Sequence, residues 1–343
     1  MTRKIMAGAC ALPALFVLSL GILSISFAAD NPPAVPAGLP PLPWPASNPY
    51  SPQKAELGRY LYFDRRLSAD GTVACATCHD PQHGFTDGAA LSSGIRGQKG
   101  TRSAPTIVNR AWSMAQFWDG RAATLEEQAV VPMESPFEMG NTYQAVVATL
   151  SGIPGYRALF AKAFGSDAVD IGRVSMALAC FERTVVSGNS PFDRYKRGET
   201  SALTAGQVRG MAVFFDKASC DRCHQGSNFT SNAYANEGIG TDKPDPDVGR
   251  FAVTHEARDW GAFKIPTLRE VEHTAPYMHD GSLQTLEDVV EFYDKGGIPN
   301  KHLDANIRPL HLSDRQKQDL VAFLRSLSGE GWQGVKAPEK FPQ

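Results

Sequence analysis

Cys75-Ala76-Thr77-Cys78-His79 and Cys220-Asp221-Arg222-Cys223-His224 are the stretches on which the fold reading turns. Two cysteines one helical turn apart, followed at once by histidine, form the pattern that attaches a c-type haem. The spacing lets both thiols form thioethers with the haem vinyl groups, while His79 or His224 faces the iron as proximal ligand. A four-cysteine zinc site needs its pairs close together, and here about 140 residues separate them. A redox disulfide does not need a histidine after each pair. Two covalent haem c groups are therefore expected, on Cys75 and Cys78 and on Cys220 and Cys223.

Working outward, each haem sequence follows a helix signal. Ser51 and Pro52 suit the start of one helix, with Leu57, Tyr60 and Leu61 on its apolar stripe. Thr204 and Gln207 form a capping box for the other, which leads through Met211, Phe214 and Phe215 to Cys220. A helix over about 170–187 and a last one from Ser313 to Gly329 close the two halves. Cys180 falls in the apolar stretch of the former and reads as a buried free thiol. A helix, a haem sequence, a loop-rich stretch and a closing helix is the plan of a cytochrome c domain, and it occurs twice. The fold class is mainly α, with the boundary in the loop 188–200.

Before the first helix, nine prolines in residues 31–52 predict an extended strap or a loose leader, not a helix. Earlier still, Arg3 and Lys4, the apolar run 11–27 and Ala28-Ala29 read as a cleavable export signal over 1–28. The domains expected are thus the signal 1–28, a proline-rich segment 29–52, an N-terminal domain 53–198 and a C-terminal domain 199–343. The mature chain should hold no membrane span and lie in the periplasm. Formal charge is −2 over 343 residues with 20% charged side chains, a composition of a globular protein and not of a phosphate-neutralising nucleic-acid binder.

An iron held by two strong protein ligands carries electrons, whereas an open iron beside an acid–base group can do redox catalysis. His83, His255, His273, His279, His302, His311 and Met278 are all candidate further ligands, and spacing does not choose among them.

Further stretches carry a resemblance: Ser103-Ala-Pro-Thr106, Phe117-Trp-Asp-Gly-Arg121, Leu125-Glu-Glu-Gln128, Ser135-Pro-Phe-Glu-Met139, Pro191-Phe-Asp-Arg194, Phe263-Lys-Ile-Pro-Thr-Leu-Arg269 and Thr274-Ala-Pro-Tyr-Met-His-Asp-Gly281. With the two haem sequences, they make the chain resemble the bacterial di-haem cytochrome c peroxidase family, in its MauG-like branch, from about Leu57 to Leu327. The resemblance implies two cytochrome c-type domains facing each other, with the active haem in the first. It implies that His79 is the proximal ligand of the peroxidatic haem. Gln128 and Glu138 would form the distal pair, with Glu138 moving the proton that peroxide heterolysis requires. Trp118 would lie between the haems and couple them. Glu126 and Glu127 read as exposed acids of a short helix.

Departures from the family pattern refine this. Many of its peroxidases block the active haem with a histidine before a Gln-Lys-Gly string. Here the string follows Gly94-Ile95, and isoleucine cannot bind iron, so an open first haem is expected. The second haem's distal ligand is methionine in the peroxidases; the matching position here is Tyr293, as in the MauG-like branch. A phenolate lowers the iron potential and helps it reach the ferryl level. From spacing alone Met278 would have been the choice. The tryptophan that MauG uses on its protein substrate, two residues before the second haem sequence, is replaced by Ala218. The calcium site of the family maps to Thr274 and Pro276 carbonyls, with Ser103 where the family has asparagine.

The implied activity is a periplasmic di-haem peroxidase. It would reduce hydrogen peroxide to water through high-valent iron shared between two haems. A small redox protein, a cytochrome c or a cupredoxin, would donate the electrons. A MauG-like enzyme oxidising a specific protein or small molecule is the first alternative, and a di-haem electron carrier the second.

Overall fold

Two helices with hydroxyl caps set the frame of the molecule. In this computed structural model, which describes Met1 and residues 31–343, α1 runs Pro52–Phe63 and its cap Ser51 accepts the Lys54 N–H at 3.1 Å. Its counterpart α7, Ala205–Ala212, starts at Thr204, whose hydroxyl accepts from Gln207 N–H while Gln207 Oε1 accepts the Thr204 N–H. The export signal expected over 1–28 lies outside the described residues.

Between these two lie α2 (Leu125–Glu134), α3 (Tyr143–Ser151), α4 (Pro154–Phe164), α5 (Ile171–Arg183) and α6 (Pro191–Lys196). After α7 come α8 (Leu286–Lys295) and α9 (Asp314–Arg325). The one sheet among the described residues pairs β1 (Tyr234–Ala235) with β2 (Phe263–Lys264) antiparallel, Tyr234 opposite Lys264. The fold is mainly helical.

The second half repeats the first in detail. Helix α1 crosses α5 at Gly58, where a Cβ would lie 1.9 Å from the Ala177 carbonyl oxygen; α7 crosses α9 at Gly210, 1.8 Å from that of Asp319. Beside these crossings Tyr62 packs on Phe181 with ring centroids 5.0 Å apart, and Phe214 on Phe323 at 5.2 Å. Thr124 caps α2 as Thr285 caps α8. Thr106 hydroxyl donates to the Gly84 carbonyl, and Thr267 hydroxyl to that of Asn228, both at 2.6 Å. The halves also exchange backbone bonds. Ser103 N–H donates to the His279 carbonyl and Lys264 N–H to the Trp118 carbonyl, each at 2.7 Å. Each half buries its own apolar cluster. Leu57, Leu61, Tyr62 and Phe160 belong to the first; Val213, Phe214, Val290 and Phe323 belong to the second.

Two helices end earlier than their apolar pattern suggests. Helix α5 stops at Arg183, not Ser187, because the backbone of Val185 and Ser187 is claimed by Asn109 through bonds of 3.0 and 2.8 Å. Helix α9 stops at Arg325, not Gly329, because Ser326 turns its hydroxyl onto the Phe323 carbonyl and Gly329 N–H goes to Glu270. In both cases a tertiary partner offers the backbone a better acceptor or donor than the next helical turn.

The proline-rich segment is a strap. Residues 31–51 contain no helix. The Ala37 carbonyl accepts from Asn189 N–H at 2.6 Å, the Pro41 carbonyl from the Trp112 indole at 3.3 Å, and Asn48 donates to Glu126. The chain after α9 returns to the first cluster, where Trp332 is buried; the Gln343 carbonyl accepts from Gly155 N–H at 2.8 Å.

The Gly58 crossing is directly testable. Gly58→Ala forces α1 and α5 apart, and overpacking of this kind costs about 1–3 kcal/mol. The expected result is a lower urea midpoint at unchanged slope; an unchanged midpoint would mean that the crossing tolerates a methyl group.

Candidate active site

The first haem sequence folds as a single helical turn, Cys75–Cys78, with His79 as its C-cap. The His79 Nδ1 faces the Phe85 carbonyl at 3.3 Å, and the His224 Nδ1 faces that of Phe229 at 3.0 Å. A carbonyl on Nδ1 holds the proton there and leaves Nε2 free to bind a metal. Phe85 and Phe229 both have positive φ, 62° and 49°, which turns their carbonyls back toward the imidazoles. Tyr62 hydroxyl adds a 2.6 Å bond to the His79 carbonyl.

No disulfide joins the four haem-sequence cysteines. Burial pushes Cys75 and Cys220 up to about 12 and Cys78 up to about 11. Such thiols stay protonated near neutrality and are poor redox nucleophiles, which argues against an exchanging disulfide.

Cys75, Cys78 and His79 open onto a cavity of about 460 Å³, and Trp118, Gln128 and Glu138 line the same space. Helix α2 brings Gln128 there; the turn after it brings Glu138. The size and the placement of two thiols and an imidazole in one wall fit a covalently held haem. Burial raises the Glu138 carboxyl above its ordinary value, with Arg121 pulling it back. Ile95 is buried in the first apolar cluster, and its N–H donates to the Glu138 carbonyl at 2.8 Å. The Trp118 indole donates to the Ser103 carbonyl at 2.8 Å.

The repeat explains an asymmetry between the halves. Helices α2 and α8 begin alike at Thr124-Leu125 and Thr285-Leu286, so Tyr293 corresponds to Pro132. Pro132 lines the first cavity, and proline offers no ligand. In the second half Tyr293 hydroxyl donates to Glu237 Oε1 at 3.3 Å. Its acidity is suppressed by burial first, then by Glu237 and Cys220, which sets it close to the second haem sequence. Burial also pushes Glu237 up to about 7. Met278 lies in the turn before His279 with φ 72° and corresponds to Phe117, φ 65°.

None of the seven candidate ligands lines the first cavity. His279 is buried and stacks on Phe263 at 3.5 Å, and burial lowers it to about 4. His83 pairs with Asp80, His255 packs on Phe251 and His302 on Trp260. Ser103 sits between Trp118 and His279. Thr274 hydroxyl turns onto the Val271 carbonyl, and Pro276 follows a cis peptide bond. Glu126 is not the exposed acid expected. It accepts from both Arg183 guanidinium nitrogens and from Asn48, while Glu127 stays exposed and closes the α2 cap on Ala123 N–H.

Sequence reading missed several buried charged side chains, Arg110, Glu182 and Lys264 among them, and the half-buried Glu237. Glu182 and Lys264 each interrupt an apolar run, Leu178 to Phe181 and Phe263 to Pro266. That interruption was the available signal.

The model of the di-haem cytochrome c peroxidase family matches residues 52–201. The chain is 40% identical over 329 residues to the methylamine utilization protein MauG of Methylophilus methylotrophus, covering 94% of this chain and 97% of that one. It is 37% identical over 319 residues to the cytochrome c551 peroxidase of Nitrosomonas europaea, covering 91% and 92%. Among solved structures, a MauG-like protein associated with microbial copper homeostasis superposes with a TM-score of 0.82 at 33% identity, over 89% of this chain and 99% of that one.

Proposed function

For a chain that belongs to the di-haem cytochrome c peroxidase family, and so is an oxidoreductase of peroxidase type, we propose a periplasmic enzyme that reduces hydrogen peroxide to water at the cavity of His79. A small cytochrome c or cupredoxin supplies the electrons. The observation that carries this reading is the meeting of Glu138 and Gln128 with Cys75, Cys78 and His79 in one cavity, where Pro132 offers no ligand.

When bound, the two haems supply the redox chemistry. Cys75 and Cys78 would hold the first and Cys220 and Cys223 the second, with His79 offering a ligand to the first iron and His224 and Tyr293 to the second. The chain supplies the proton handling. Glu138 as carboxylate takes a proton from peroxide at one oxygen and returns it to the departing oxygen. Gln128 orients the bound oxygens by hydrogen bonding. Trp118 is anchored at both ends, by its indole on Ser103 and its carbonyl on Lys264, and so presents a fixed π-system between the halves. Calcium belongs to the same reading, through hard oxygen donors of Ser103, Thr274 and Pro276. The two-domain division near residue 198 follows from it too.

Oxidation of a specific partner, as in the MauG-like branch, is supported by Tyr293 but not by Ala218. An electron carrier, which needs a second strong ligand on the first iron, is disfavoured by Ile95 at the position of the family's blocking histidine.

Intact mass and electron paramagnetic resonance test the reading together. The expected result is a chain with two haems that survive denaturation, one of them high-spin in the resting ferric protein and reactive with peroxide without prior reduction. Two low-spin haems that ignore peroxide until reduced would overturn it.

A further inference from the structure

Arg110 and Lys264 are buried cations, 7% and 4% exposed, and they line one small void together with Pro105, Trp118 and Pro266. Arg110 also lines the large cavity. Its Nε and one terminal nitrogen go to Gln116 Oε1, at 3.0 and 2.6 Å, and Gln116 is a neutral amide. Lys264 makes no ion pair among the described residues, and its amino group donates no hydrogen bond there. The carboxyl nearest in effect to Arg110 is Glu182, which burial pushes up to about 8. Glu182 Oε2 has no hydrogen-bond partner, and the carboxyl forms no ion pair with either cation among the described residues.

Two like charges in one dry void repel each other and forgo hydration, so each disfavours the other's charged state. Burial and Arg110 together hold Lys264 well below the ordinary lysine value. Such an arrangement calls for an anion from outside the chain. The void shares Pro105, Arg110, Phe117 and Trp118 with the walls of the large cavity, so the anion comes from what that cavity holds.

We propose that Arg110 and Lys264 form a clamp for a propionate carboxylate of the first haem and place that ion group against Trp118. The proposal rests on the haem reading given above and deepens it. Arg110 is pre-aimed by Gln116 and offers its planar guanidinium; Lys264, fixed at the end of β2 by its N–H bond to Trp118, closes from the other half of the molecule. One carboxylate would thus tie the cofactor of the first half to a side chain of the second. Both residues act through the haem, and both are positioning residues.

A cation held at a propionate favours the ferrous over the ferric haem. Spectroelectrochemical titration of the complete di-haem protein should therefore show Lys264→Met shifting the first haem's ferrous/ferric equilibrium at least tenfold toward ferric. That is a fall of about 59 mV for one electron. Lys264→Arg, which keeps the charge, should stay close to wild type. If Lys264→Met does not accumulate, Lys264→Gln, a neutral amide of similar reach, is read the same way. An unchanged first-haem potential in a neutral variant carrying both haems overturns the clamp, as does a shift confined to the second haem. Intact mass separates the two failures: a wild-type chain without two haems defeats the haem reading itself.

Discussion

Replacing Glu138 by glutamine is expected to slow the reaction of the resting protein with hydrogen peroxide by about 10²–10⁴-fold, the range that a positioned acid–base group contributes. Glutamine keeps the volume and a hydrogen-bonding end but cannot accept the proton. The carboxylate is the working base, so the rate falls as pH drops through the Glu138 pKa. Burial raises that pKa above its ordinary value, and Arg121 offsets only part of the rise. The acid limb of the pH–rate profile should therefore lie above about 4.3, the usual glutamate value, and should vanish in Glu138→Gln. Stopped-flow mixing with peroxide across pH 4–8 reads both effects. An unchanged rate, or a limb that survives the substitution, removes Glu138 from the proton path. Haem content measured alongside guards against a merely misfolded variant.

Tyr293 carries the second large effect. With the phenolate as distal ligand, Tyr293→Met should raise the second haem's potential by on the order of 100 mV or more, within the ≈ 0.8 V over which axial ligands set haem potentials. Thioether sulfur favours ferrous iron, and the phenolate favours ferric. The same variant should shorten the life of the doubly oxidised protein formed with peroxide. Tyr293→Phe should open the second iron to small ligands such as cyanide. Should Tyr293→Phe leave the low-spin spectrum intact while Met278→Ala destroys it, methionine is the ligand. The position of Tyr293, about two turns into the helix that Thr285 caps and close to Cys220 and Glu237, is what makes the phenol the expected donor.

Local chemistry was legible in the sequence because it acts over three or four residues. Ser51 and Thr204 cap the helices they were expected to cap, and Thr285 opens the helix that carries Tyr293. Cys180 is the buried thiol expected of its apolar surroundings. Helix ends were less legible, because Asn109 and Glu270 reach them from far along the chain. Glu126 looked like a surface acid because its partners, Asn48 and Arg183, are remote in sequence. In the site, the residues with a family counterpart could be named in advance. The cations of the interface could not, Lys264 least of all, because its backbone partner Trp118 is remote in sequence. Only the exchange of backbone bonds between the halves turns it inward.

The return of the chain to the first apolar cluster bears on how the protein is made. Trp332 packs against Phe85, six residues after His79, and residues 336, 342 and 343 lend their carbonyls to Arg59, Arg66 and Gly155. During vectorial emergence from a ribosome or a translocation pore, Cys75 and Cys78 are exposed long before this closing stretch arrives. The first half therefore stays open to the haem-attachment machinery until the second half has followed it out. A tag or truncation after Gly329 would disturb maturation at the opposite end of the chain.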